Sequence, residues 1–132
     1  MGDAIRRLGS DPPGPYEMTI GYSRVVRCGP HVWVAGCTSV DEHGVVLGAT
    51  PGEQMAIAIE AVLAALQRVG AGAQDVVRTR MFTTDISRSE EIGRAHGAVF
   101  GDVRPVTAMY EVGALIDPRM LVEIEADAFV AQ

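Results

Sequence analysis

The stretch that decides the fold is MLVEIEADAFV, residues 120–130. Apolar side chains alternate along it with a second set that includes Glu123, Glu125 and Asp127. A repeat of two residues is typical of a β-strand with one buried face. We therefore predict a long strand here. Residues 106–112 are predicted to form another strand, which pairs with it as a hairpin through a loop at 113–119.

The upstream sequence predicts the remaining elements. The capping box that runs from Thr50 to Glu53, with proline at the first helical position, begins a helix that ends at Gly70. A second helix is predicted to begin at Ser87 and to end near Gly101. The other predicted strands are residues 22–28, 32–40 and 76–84, the first two forming a hairpin.

This order of elements indicates an α+β fold. Helices between strands require crossover connections and at least one parallel strand pair, so we predict a mixed sheet with both helices on one face. The other face carries too many apolar side chains to leave in water, and we expect self-association to cover it. Residues 1–15 are predicted to be a flexible tail because residues 11–15, DPPGP, disfavour helix and strand. Residues 16–132 are predicted to form one domain.

Composition excludes several classes of function. The chain has 132 residues and a net charge of −6, which argues against a nucleic-acid partner. All 11 basic residues are arginine, and the absence of lysine excludes a P-loop and a lysine-anchored pyridoxal cofactor. We expect no cofactor. No stretch approaches the ~20 apolar residues of a membrane span, so we expect a cytoplasmic protein with no membrane partner.

Glu123 is the main candidate for chemistry. In the predicted hairpin, Thr107 lies roughly opposite Glu123. A carboxyl group buried by self-association has a raised pKa and can act as a general acid or base that positions a water molecule. The alternative is that Glu123, Glu125 and Asp127 form a solvated acidic stripe.

Other chemical side chains have weaker signals. The three histidines are predicted to lie apart, and no metal site is expected. Cys28 and Cys37 lie far apart along the predicted hairpin, so both are expected to be free thiols. Cys37 is either a reactive nucleophile or a small buried thiol. Arg78 and Arg80 either grip an anion or form surface or intersubunit salt bridges.

Several of these stretches resemble the RidA/YjgF family, also called the Rid or endoribonuclease L-PSP family. The resemblance covers about residues 16–130 and implies a chorismate-mutase-like fold, assembled as a homotrimeric barrel with ligand clefts between subunits. The matching stretches are residues 21–27 (GYSRVVR), 32–36 (VWVAG), 75–81 (DVVRTRM), 99–101 (VFG), 104–105 (RP) and 122–126 (VEIEA).

The resemblance also implies hydrolysis of reactive imines and enamines, with release of ammonia and a 2-keto acid. It makes Glu123 the residue that positions the hydrolytic water and places Tyr22 on the cleft wall. Thr107 stands where archetypal members have the arginine that grips the substrate carboxylate. This loss is expected to leave Glu123 without a neighbouring cation, and so with a raised pKa. The further expected cleft positions are Ala35, Cys37, Ser89 and Met109.

We therefore expect a trimer that hydrolyses or binds a small imine, enamine or related carbonyl metabolite. Archetypal 2-iminoacid deamination is expected to be poor, because a threonine hydroxyl cannot neutralise a carboxylate. The alternative is a non-catalytic ligand-binding or scaffold trimer. Whether Arg78 or Arg80 replaces the missing arginine stays open. The acidic composition disfavours the ribonuclease activity in the family's older label.

Overall fold

The computed structural model describes residues 4–131. They form a six-stranded mixed sheet with two long helices, which is the predicted α+β class. The elements are β1 (Ile5–Leu8), α1 (Glu17–Ile20), β2 (Val25–Cys28), β3 (His31–Cys37), α2 (Pro51–Arg68), β4 (Val76–Thr83), α3 (Ser89–Phe100), β5 (Val106–Glu111) and β6 (Val122–Phe129). The strand order across the sheet is β1-β2-β3-β6-β4-β5.

Helix α2 begins where the capping box predicts. The Thr50 side chain accepts a hydrogen bond from the Glu53 backbone N–H, and Pro51 occupies the first turn, where its missing N–H is not needed. The helix packs its apolar stripe against β3 and β6 and contacts α3. Four members of this stripe are fully buried: Met55, Ile59, Val62 and Leu66.

Helix α3 begins slightly later than predicted. Asp85 caps a short 3₁₀ turn at Ile86–Arg88, where its carboxylate accepts hydrogen bonds from the backbone N–H and the hydroxyl of Ser87. The α-helix then starts at Ser89. The Ser-x-x-Glu spacing therefore predicts the right region, but Asp85 caps the preceding 3₁₀ turn and α3 has no side-chain cap.

Strands β5 and β6 do not form the predicted hairpin. Strand β6 lies between β3 and β4 and is antiparallel to both, whereas β5 runs parallel to β4 at the sheet edge. Thr107 therefore aligns with Thr79, and Glu123 aligns with Phe82. The prediction that Thr107 lies opposite Glu123 is wrong, since alternation within a strand does not tell which strands are neighbours.

The predicted N-terminal tail contains a strand. Residues Ile5–Leu8 form β1 and pair antiparallel with β2, so the prediction of a tail is wrong for these residues. This short edge strand is mostly exposed and has no apolar alternation that would reveal it. Residues 1–3 lie outside the described residues, and the domain boundary at residue 16 stays a prediction.

The two faces of the sheet differ in how far their side chains are exposed. One face packs against α2 and α3 around Val34, Ile124 and Ala126, which are buried. The alternate positions of the same strands point to the opposite face, where Trp33 and Phe129 are 46% and 45% exposed. Among residues 4–131, no helix has the length and apolar character needed to cross a membrane.

Candidate functional site

A cleft of about 850 Å³ opens where the end of β3 meets the start of β6. The loop at 114–117 and the N-terminal segment around residues 10–16 line its sides. It brings together four of the predicted site residues, Tyr22, Ala35, Cys37 and Glu123. The size is within the usual range for small-molecule sites, which is roughly 300–1,000 Å³.

Glu123 lies on the sheet face opposite the helices and packs against Gly36. A Cβ atom added to Gly36 would be 2.9 Å from the Glu123 carboxyl carbon, closer than real Cβ contacts allow. Gly36 falls where the β3–β6 register shifts between Val34 and Cys37. This irregularity and the missing side chain together make room for the carboxyl group.

The pKa of Glu123 is raised above its ordinary value. Burial is the largest cause, the neighbouring carboxylate of Glu125 raises the pKa further, and the charge of Arg24 lowers it. The direction agrees with the sequence prediction. The expectation that Glu123 has no neighbouring cation is wrong, because Arg24 supplies one.

Sequence reasoning missed Arg24, which links several parts of the cleft. Its Nη1 donates hydrogen bonds to the carbonyl oxygens of Gly36 at 2.6 Å and Ala35 at 3.2 Å, and contacts Cys37 Sγ at 3.4 Å. Its Nη2 donates to the Tyr22 hydroxyl at 3.3 Å. One sequence signal could have placed Arg24 near the cleft: it lies two residues after Tyr22, and residues two apart in an extended chain share a face.

The cysteines are free in the described chain. Cys37 is buried, and burial raises the pKa of its thiol, although Arg24 acts in the opposite direction. This environment favours the buried-thiol interpretation over a reactive nucleophile. Across residues 4–131, no group of three or more histidine, cysteine or acidic side chains is arranged to hold a metal ion.

Three predicted site residues lie outside the cleft of the single chain. The Thr107 hydroxyl accepts a hydrogen bond from Thr79 Oγ1 at 2.7 Å, and that oxygen lies 2.8 Å from His96 Nε2. Ser89 is exposed at the start of α3, and Met109 packs against the core beneath the helices. Buried His96 thus joins a polar chain that ends at Thr107, and burial lowers its pKa.

The arginines of β4 do not reach the cleft. Arg80 Nη1 lies 3.3 Å from a Glu125 oxygen and 3.4 Å from an Asp127 oxygen. Arg78 is exposed, and neither arginine lines the cavity. Within the described chain, Arg80 therefore forms salt bridges, the second of the two predicted roles. These salt bridges partly neutralise the acidic side chains of β6.

Comparisons with known proteins agree with this fold. The family model for Endoribonuclease L-PSP matches residues 15–130. An uncharacterized protein of Streptomyces coelicolor is 35% identical over 96% of this chain and 93% of its own length. A RutC family protein of Pyrococcus abyssi is 30% identical over 82% of this chain and 85% of its own length.

A solved structure is similar to this chain in both fold and sequence. The crystal structure of Rv2704 from Mycobacterium tuberculosis, a member of the YjgF/YER057c/UK114 family, has a TM-score of 0.87 and 46% identity. The match covers 96% of this chain and 100% of that chain. The chain therefore belongs to the Endoribonuclease L-PSP family, the RidA/YjgF family that its sequence resembles.

Proposed function

We propose that this protein hydrolyses a small, uncharged imine or enamine in the cleft, with Glu123 as the general acid and base. The observation that carries the proposal is the position of Glu123: a partly buried carboxyl group, seated on Gly36, with a raised pKa. Burial raises the pKa of this carboxyl group, which favours its use as a group that both gives and takes a proton.

The reaction alternates proton donation with proton acceptance, and one carboxyl group can perform both. Protonated Glu123 donates to the imine nitrogen, and its ionised form accepts a proton from the water that adds to the carbon. In the resulting carbinolamine, protonated Glu123 donates to the amino nitrogen as the C–N bond breaks, and ionised Glu123 accepts the hydroxyl proton as the C=O bond forms. The balanced change is R₂C=NH plus water giving R₂C=O plus ammonia.

The charges of the site favour a substrate without a carboxylate. Thr107 replaces the arginine that grips the carboxylate in archetypal members. Arg24 is no substitute, since its guanidinium donates to carbonyls and side chains of its own chain and lies 3.8 Å from the carboxylate of Glu17. A charge-assisted hydrogen bond contributes about 1.5–3 kcal/mol, so its loss reduces the use of iminoacids by roughly ten- to a hundredfold.

Assembly into a homotrimer is part of the proposal. Trp33, Tyr110 and Phe129 are each about half exposed on the described chain, which is costly for large aromatic side chains. Two further copies would cover them and would bring Thr107 of one chain toward the cleft of another.

The free Cys28 and Cys37 fit the reducing conditions of the cytoplasm, where we place the protein.

The test is ammonia release above the spontaneous rate, measured with a freshly generated uncharged ketimine and with 2-iminopropanoate. We expect kcat/KM for the uncharged substrate to exceed that for 2-iminopropanoate by at least about tenfold. Equal or faster hydrolysis of 2-iminopropanoate would overturn the substrate class. Ligands that raise the Tm without any ammonia release would instead establish the non-catalytic binding protein.

A further inference from the structure

The N-terminal segment contributes a buried carboxylate beside the cleft. Glu17, in α1, is 5% exposed, and its carboxylate accepts hydrogen bonds from the Ser10 hydroxyl at 2.6 Å and the Ser10 backbone N–H at 3.0 Å. Burial acts to raise its pKa, but the bonds from Ser10 and the charge of Arg24 outweigh burial and lower it. Glu17 is therefore a stable anion, 3.8 Å from Arg24 Nε.

Arg24 extends from this anion to the irregular part of β3. The register shift there interrupts the β3–β6 ladder, and a strand carbonyl that loses its ladder position needs another donor. Arg24 Nη1 is that donor, and it donates hydrogen bonds to the carbonyl oxygens of Ala35 and Gly36. The backbone on which Glu123 packs is thus held from the other side by the guanidinium group.

We propose that Arg24, fixed by Glu17, is the positioning residue of the cleft: it holds the Gly36 backbone and the Tyr22 hydroxyl in place for Glu123. The inference rests on the proposed function, in which Glu123 is the reacting group. The inference also assigns a role to the N-terminal segment. Glu17 and Ser10 orient Arg24, and Ser10 itself lines the cleft.

The charges make this role measurable at Glu123 itself. Arg24 lowers the pKa of Glu123, whereas Glu125 on the same strand raises it. The other titratable residues that line the cleft are Asp11, Tyr16, Tyr22, Cys37, Asp41, Glu42, Arg68 and Asp117. Arg80 of β4 is engaged with Glu125. Removing Arg24 must raise the pKa of Glu123. Removing the charge of Glu17 must lower it, because Arg24 then acts without its counter-ion.

The experiment is titration of the ¹³C-labelled Glu123 carboxyl group by NMR in the full-length protein. We expect the midpoint to rise in Arg24→Gln, to fall in Glu17→Gln and to change little in Arg24→Lys. Arg27→Gln is the matched control: Arg27 donates to the carbonyls of Gly29 and Val69, does not line the cleft, and its loss should leave the midpoint unchanged.

Activity supplies the second readout. Arg24→Lys keeps the charge but loses the planar fork, so kcat/KM should fall about tenfold or more while the Glu123 midpoint stays near that of wild type. No shift in Arg24→Gln, or wild-type kcat/KM in Arg24→Lys, would overturn the inference. Should Arg24→Gln fail to fold, an unshifted midpoint in Glu17→Gln is sufficient to overturn it.

These outcomes separate the two proposals. The titration reads Glu123 without any substrate, so opposite shifts without turnover leave the positioning role standing and overturn only the proposed reaction. Unshifted midpoints in a protein that releases ammonia leave the reaction standing and overturn the positioning role.

Discussion

The carboxyl group of Glu123 occupies the space that a side chain at Gly36 would fill. The ideal Cβ position at Gly36 is 2.9 Å from the carboxyl carbon and 3.0 Å from one carboxyl oxygen of Glu123. The backbone of Gly36 has no positive φ, so its conformation does not demand glycine. The requirement for glycine here is steric, and it comes from the candidate catalytic group.

Gly36→Ala should therefore displace the carboxyl group. We expect kcat/KM to fall at least about tenfold, since small displacements of a reacting group are costly, and stability to fall by roughly 1–3 kcal/mol from overpacking. Steady-state kinetics and denaturant unfolding measure the two effects. Gly93→Ala, in α3 with no atom within 4 Å of the added Cβ, should keep full activity and gain about 0.4–1 kcal/mol. Full activity in Gly36→Ala would show that the Glu123 carboxyl group does not need the space at Gly36.

The raised pKa of Glu123 predicts a pH-dependent stability. The folded protein binds this proton more tightly than the unfolded chain, so the contribution of Glu123 is most favourable below its ordinary pKa of 4.5 and is lost as pH rises through the folded pKa. Glu123→Gln should raise the Tm at neutral pH, and the gain should disappear in acid. Thermal unfolding from pH 4 to 8 measures it. A Tm for Glu123→Gln that is lower than wild type at neutral pH would contradict the prediction.

The hydroxyl of Thr79 is predicted to stabilise the fold through His96. Thr79 is fully buried, and Thr79→Val removes the hydrogen-bond partner of the buried imidazole. We expect a loss of about 1–3 kcal/mol in the free energy of unfolding. Thr79→Ser keeps the hydroxyl and should retain more of that stability than Thr79→Val does. Equal stability of Thr79→Val and wild type would show that the polar chain contributes nothing.

Sedimentation equilibrium tests the assembly. The proposed trimer predicts the mass of three chains at micromolar concentration. Tyr110→Glu places a charge on the half-exposed aromatic face and should give single chains. Ala98→Glu, at an exposed position of α3 on the helix side of the sheet, should leave the mass unchanged. A wild-type protein with the mass of one chain would exclude the trimer.

Most helices and strands of this fold could be predicted because each is specified by residues within its own segment of the sequence. The alternation of residues 120–130 identifies β6 and places Glu123 away from the buried face, and Thr50 with Glu53 marks the start of α2. Neighbour relations between strands are not local. The position of β6 between β3 and β4 follows from packing across the whole sheet, which is why the hairpin of β5 and β6 was a wrong prediction.

The site was predictable to a similar extent. Tyr22, Ala35, Cys37 and Glu123 do meet in one cleft. The role of Arg24 depends on the carbonyls of Ala35 and Gly36, which lie at a register shift in β3. A glycine inside a strand can indicate such a shift, but it does not tell which side chain binds the carbonyls. Functional roles for Thr107, Ser89 and Met109 stay predictions, since they require a second chain.

The most direct test of the central claim is ammonia release from an uncharged imine by wild type, Glu123→Gln and Asp127→Asn. Asp127 lies on the same strand and face as Glu123 but does not line the cleft, which makes it a matched control. General acid–base catalysis contributes about 10²–10⁴-fold, so Glu123→Gln should lose at least a hundredfold in kcat/KM while Asp127→Asn keeps the wild-type value. Wild-type turnover by Glu123→Gln would contradict the assignment of Glu123 as the acid and base.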